Sequence, residues 1–180
     1  MSTEPFACIV ADPPWSFGDK LPGASRGAEK NYKVMSIDDI CRLKLPPVAD
    51  DAYLFLWRVS SQVEEAYRVV RAWGFIPKSE IVWQKLTATG LPWFGMGRHV
   101  RASHETAILA VRGRPNLYTR SQRSTFSARA SRHSEKPEAF FHLIEGFCPG
   151  PRLELFARKP RDGWTTIGDQ LEAPVTLEVA

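Results

Sequence analysis

Residues 51 to 57, DAYLFLW, set six apolar side chains in an almost unbroken row. A strand built from that row has no wet face, so it must be covered on both sides. That points to the middle of a sheet with helices on either face. The next stretch, residues 61 to 73 (SQVEEAYRVVRAW), changes period: Val63, Ala66, Tyr67 and Val70 fall at helical spacing, and Gly74 is placed to cap the end.

The same exchange of periods recurs along the chain. Residues 6 to 11 read as a short buried strand that stops at Asp12, because Pro13 and Pro14 cannot continue a central ladder. Ser36 is a good N-cap, with Asp38 and Asp39 in the first turn of a helix that Pro46 and Pro47 end. Strands are expected within 75 to 85, over 104 to 112 and over 152 to 157, and a helix after Pro137; residues 124 to 132 alternate only weakly. Residues 16 to 35 and 87 to 101 read as long loops. Strands alternating with helices predict an α/β fold with a mainly parallel sheet, and 180 residues without a linker or repeat predict one domain over 1 to 180.

Composition excludes several classes. No segment approaches the eighteen or so apolar residues of a membrane span, and the first residues lack the pattern of a signal peptide, so a cytoplasmic location is expected. Cys8, Cys41 and Cys148 are widely spaced and form no metal-ligand cluster, so no metal is expected. The net charge is +4, but its distribution says more. Between Lys85 and Arg132 stand nine basic residues, including Arg98, Arg101, Arg112, Arg120 and Arg129, and a single acid, Glu105. The strip is interleaved with Trp93, Phe94, Tyr118 and Phe126, a footprint suited to a phosphate backbone.

The chemistry-bearing motifs sit where strands end. In VADPPWSF, residues 10 to 17, Asp12 is either the acid that opens a proline turn or a carboxylate held on a stiff lip beside an aromatic plate. Glu154, Arg158 and Arg161 cluster at the end of a later strand, followed by Asp169 and Gln170; these suit the hydroxyls of a ribose, and surface salt bridging is the other reading. Lys136 immediately precedes the proline that opens a helix, where its ammonium and the helix N-terminus would both attract a carboxylate. His104 and Glu105 open a strand without the spacing of a zinc protease. No GxGxxG loop is present.

Taken together, ADPPW, WQK, GMGRHVRASHETAILAVRG, HSEKP, PGPRLELFARKPRDGW and GDQL occur in the order of one family. Over about residues 6 to 171 the chain resembles the MT-A70 family of N6-adenine methyltransferases, whose bacterial and phage members act on DNA. The resemblance implies a Rossmann-like methyltransferase fold with permuted motif order, S-adenosylmethionine as cofactor and S-adenosylhomocysteine as product. It assigns Asp12, Pro13, Pro14 and Trp15 to the catalytic motif, and Lys136, Glu154, Arg158, Asp169 and Gln170 to the cofactor. Asp169 stands where eukaryotic members write Asn. Lys85, Arg98, Arg101, His104, Glu105, Arg132 and His133 are the candidates for substrate contact.

The mechanism expected from these residues has the Asp12 carboxylate and the Pro13 carbonyl accept both hydrogens of the adenine amine, with Trp15 as a stacking face. The base must be flipped out or single-stranded to be reached. Family members carry a cofactor-contacting segment ahead of the DPPW strand that has no counterpart here, so a different or looser hold on the cofactor's adenine is expected. Target selection falls to the chain's own loops or to a partner, as a homodimer or with another subunit. Three other readings remain: the same reaction on RNA, methylation of a protein amide, and a non-catalytic nucleic-acid-binding subunit of this fold.

Overall fold

The computed structural model describes residues 4–16, 34–97, 99–130, 135–169, 171 and 177–179. The elements run β1 (Phe6–Ala11), α1 (Ile37–Arg42), β2 (Val48–Arg58), α2 (Val63–Ala72), β3 (Ile76–Leu86), β4 (His104–Arg112), β5 (Thr125–Arg129), α3 (Glu138–Phe147), β6 (Arg152–Leu155) and β7 (Thr165–Ile167). They form a seven-stranded sheet in the order β5-β3-β4-β2-β1-β6-β7. Only β4 runs antiparallel to its neighbours, β2 and β3. The remaining pairings are parallel, as in a Rossmann-like methyltransferase sheet.

Both faces of the sheet are dry. Along β2, Ala52, Leu54 and Leu56 enter one core together with Ile40 of α1 and Ala66, Val69 and Val70 of α2. Their neighbours Tyr53, Phe55 and Trp57 enter the other core with Phe140, Phe141 and Ile144 of α3. Period-two alternation therefore feeds two helical layers from one strand, as the apolar row required.

Local signals explain the helix bounds. The Ser36 hydroxyl accepts the Asp39 amide at 3.1 Å, which caps α1. Gly74 takes φ 80 just past α2, a conformation that suits a residue without Cβ. Several features differ from the sequence reading, and α1 ends at Arg42, short of Pro46 and Pro47. β2 begins at Val48, because Phe6 pairs with it before the apolar row starts. β6 stops at Leu155, because Phe156 turns out of the strand with φ 62. β7 was not anticipated; three residues at a sheet edge are too few to show a period. The expected loop over 16 to 35 lies mostly outside the described residues.

The aromatic ring of Phe140 is fully buried against Trp57, at 4.6 Å between centroids, and against Phe55, Phe126 and Phe141. Phe140→Ala should lower unfolding free energy by about 3–5 kcal/mol in urea denaturation. A loss below about 1 kcal/mol would mean that α3 does not lock onto the sheet through this ring.

Candidate active site

A sheet of this topology gathers its strand ends along one edge. β1, β2, β3, β5, β6 and β7 all finish there, and the reversed strand β4 starts there. The loop after β1 leads by α1 toward β2, whereas the chain leaving β6 leads the other way, to β7. Adjacent strands whose connections diverge leave a crevice between them, where ligands settle. Asp12 follows β1 at that crevice and Arg158 follows β6.

A cavity of about 600 Å³ opens there, within the usual range for small-molecule sites. Asp12, Pro13, Pro14 and Trp15 line its middle. Toward β3 and β4 it is lined by Lys85, Trp93, His104, Glu105 and Lys136. Toward β7 it is lined by Phe156, Arg158, Ile167, Gly168 and Asp169, with Met35 and Leu43 from the α1 side.

The Asp12 lip is pinned at every residue. The Trp15 amide donates to the Pro13 carbonyl at 2.8 Å, closing a tight turn over Pro14 whose fixed φ suits it. The Met35 amide donates to the Pro14 carbonyl at 2.9 Å, and Gln62 Nε2 to the Ser16 carbonyl at 2.5 Å. Trp15 Nε1 donates to the Trp57 carbonyl at 3.1 Å, and its indole is only 4% exposed. The stacking plate expected at Trp15 is therefore mostly spent in the core. Trp93, 38% exposed on the same cavity, keeps more of its ring available.

Charge is arranged as an alternating row across the site. Lys136 Nζ lies 2.6 Å from Asp12 Oδ2 and 3.3 Å from Glu105 Oε2; Lys85 Nζ lies 2.6 Å from Glu105 Oε1. Two acids and two bases leave the row neutral. Lys136 also sits 5.1 Å from the Trp57 ring centroid, and Lys85 5.0 Å from that of Trp83, so indole faces add to the attraction. Burial presses the Lys136 ammonium toward neutrality, but the Asp12 and Glu105 carboxylates outweigh it and hold its pKa above the ordinary lysine value. Burial likewise raises Glu105, and Lys136 and Lys85 outweigh it, holding the carboxyl below its usual range.

Among the described residues, ten of the site candidates line this cavity, and Glu154 and Arg101 do not. Glu154 turns to the α3 face, where Arg161 Nε reaches it at 3.4 Å and Arg161 also pairs with Glu138. Glu154 thus makes the salt bridge and is not among the residues that line the cavity. Burial raises its pKa despite the arginine. Arg101 is exposed in the β3–β4 loop, bonded to the Gly97 carbonyl at 3.1 Å and set over the Phe94 ring. Arg98, Arg132, His133 and Gln170 lie outside the described residues. The sequence reading passed over Trp57 beneath Lys136 and the apolar Met35, Leu43 and Phe156. Their apolar character alone could not tell a cavity wall from core.

Residues 6–170 match the model of the MT-A70 family. The chain is 30% identical over 179 residues to the N(6)-adenosine-methyltransferase catalytic subunit METTL3 of Homo sapiens, covering 93% of this chain and 28% of that protein. It is 28% identical over 200 residues to the Type II methyltransferase M.MunI of Mycoplasma sp, covering 97% and 83%. It is 29% identical over 179 residues to the N6-methyladenosine RNA methyltransferase MTA1 of Cryphonectria parasitica, covering 92% and 52%. The chain thus spans little more than a quarter of the METTL3 length it matches.

Removing the central cation exposes the logic of the charge row. Lys136→Met leaves Asp12 and Glu105 without their shared counter-ion and should cost about 2–3 kcal/mol of stability at pH 7, discounted for their partial exposure. The Lys136 contribution persists below the ordinary lysine pKa and is lost as pH rises through its raised folded value. That of Glu105 persists above the ordinary carboxylate pKa and is lost as pH falls through its lowered folded value. The variant's deficit should therefore shrink between pH 7 and pH 4, as the stranded Glu105 protonates. Urea melts at both pH values giving an equal deficit would contradict the row.

Proposed function

The chain belongs to the MT-A70 family, and on that premise we propose that it transfers a methyl group from S-adenosylmethionine to the exocyclic N6 amine of adenine in a nucleic acid. The observation that carries the reading is Asp12, pinned at the junction of an aromatic, charged lobe and a lobe ending in Arg158 and Asp169. A two-substrate transfer needs both reactants to meet at one group, and only a junction offers that.

The residues present fit the cofactor. Lys136 is a cation beside Asp12 and suits an amino-acid carboxylate; Asp169 is an acceptor beside the β7 end and suits ribose hydroxyls. Gly168 lines the same end, and a Cβ built there would collide with the Ala157 carbonyl, so the turn after β7 packs directly on the backbone after β6. S-adenosylmethionine supplies an electrophilic methyl group when bound.

The protein's own part is to prepare the amine. Adenine's N6 lone pair is delocalised into the ring, which makes it a poor nucleophile. Lys136 holds Asp12 Oδ2, so we assign Asp12 Oδ1 to one amine hydrogen. The Pro13 carbonyl already accepts from Trp15, which fixes its direction, and its second lone pair takes the other hydrogen. Drawing on both hydrogens localises the lone pair. An alkylated aminopurine nitrogen is strongly acidic, so a weakly basic carboxylate such as Asp12 suffices to take its proton. Trp93 offers the flipped base a ring face, with Lys85 5.9 Å above that ring.

For the polymer we propose DNA, the substrate of the family's bacterial and phage members that the sequence resemblance implies. The 28% identity to the Type II methyltransferase M.MunI supports that reading. RNA is the second reading, favoured by the names of METTL3 and MTA1 as adenosine and RNA methyltransferases. The exposed Arg101, Arg120, Arg123 and Arg129 on the β3–β4–β5 side suit either backbone.

Asp12→Ala should reduce methyl transfer by at least about a thousandfold, the scale of losing a general base and an orienting acceptor together. Binding of S-adenosylhomocysteine, followed by calorimetry, should change much less. Near-normal turnover in this variant would remove Asp12 from the mechanism.

A further inference from the structure

Residues 177–179 fold back as a strap along the end of α1. Val179 bridges antiparallel to Leu43, the Lys44 amide donates to the Glu178 carbonyl at 2.9 Å, and Lys44 Nζ reaches Glu178 Oε2 at 3.3 Å. Side chains alternate along extended backbone, so Leu177 and Val179 share a face while Glu178 takes the other. Both apolar residues line the cavity. Leu177 packs against the core that holds Leu43 and Ile167, yet Val179 remains 44% exposed.

With Met35 and Ile167, the strap makes the β7 end of the cavity an apolar slot. Its acceptors are carboxylates, Asp39 and Asp169. The Ser36 hydroxyl and Arg42 bonded to Asp39 hold that carboxyl below its usual range, so it stays ionised. Lys136 lies across β1 from the slot, tied to Asp12 and Glu105. Arg158 also lines this end, so the slot is not uniformly acidic, but its apolar walls and its two carboxylate acceptors suit a flat, uncharged ring carrying a donor amine.

We infer that the strap is one wall of a purine subsite, in which Leu177 and Val179 pack against the adenine ring of S-adenosylmethionine. The inference rests on the cofactor reading above and adds the residues that hold the purine end. It gives the amino-acid end of the cofactor to Lys136 and the purine end to a segment that sequence motifs do not mark.

Three ligands separate the two ends: S-adenosylhomocysteine, 5′-methylthioadenosine, which keeps the purine but lacks the carboxylate, and free methionine. Leu177→Trp fills the slot and should weaken both purine-bearing ligands by at least about tenfold in calorimetry, with methionine unaffected. Val179→Trp, at a more exposed position, should act the same way and guards against misfolding of the first variant. Lys136→Met should weaken S-adenosylhomocysteine and spare 5′-methylthioadenosine. If folded Leu177→Trp and Val179→Trp bind both purine ligands as the unaltered protein does, the strap is overturned and the cofactor reading stands. If the unaltered protein binds neither purine ligand, the cofactor reading falls and the strap with it.

Discussion

The 2.6 Å contact between Lys136 Nζ and Asp12 Oδ2 joins residues 124 positions apart and fixes the relation of two strand ends. One partner leaves β1 at the centre of the sheet; the other follows β5 at its edge and opens α3. A buried ammonium would be costly alone, so the pair requires both acids, and both acids require the sheet to bring β4 beside them. Inserting β4 antiparallel between β2 and β3 does that, by placing Glu105 at the start of a strand where its neighbours end. The charge row thus depends on the one irregularity of an otherwise parallel sheet.

That row also divides the cavity. On one side stand Trp93, Lys85 and His104, with rings and cations suited to a base and its backbone. On the other stand the ends of β6 and β7, with Asp169 and an apolar slot. Asp12 belongs to both sides. Its lip owes its stiffness less to the prolines alone than to the carbonyls they present, since Pro13 and Pro14 each accept a backbone amide. Phe156 adds a local strain of roughly 1 kcal/mol or more at φ 62, held by the packing of β6, and so reaches the cavity wall.

Much of this was legible from residues alone, and the limits have physical causes. The apolar row of β2 announced a doubly covered sheet because a strand with no polar face has one solution. Asp12, Lys136, Arg158 and Asp169 were legible because charge at a strand end is conspicuous. The side to which Glu154 turns was not legible, because alternation within β6 sends it to the α3 face, a direction set by register that its motif does not encode. Trp15 looked like an open plate but is consumed by the core, since its indole nitrogen finds the Trp57 carbonyl. The orientation of β4 and the place of Leu177 depend on contacts across the chain, which no local period carries.

The central claim is that the amine of an adenine base is what meets the methyl group at Asp12. The direct measurement is to incubate the protein with methyl-labelled S-adenosylmethionine and matched DNA and RNA oligonucleotides, digest the polymer, and identify the labelled nucleoside by mass spectrometry. The account predicts label in N6-methyladenine, in DNA above RNA. Label in cytosine, or in protein alone, would contradict it.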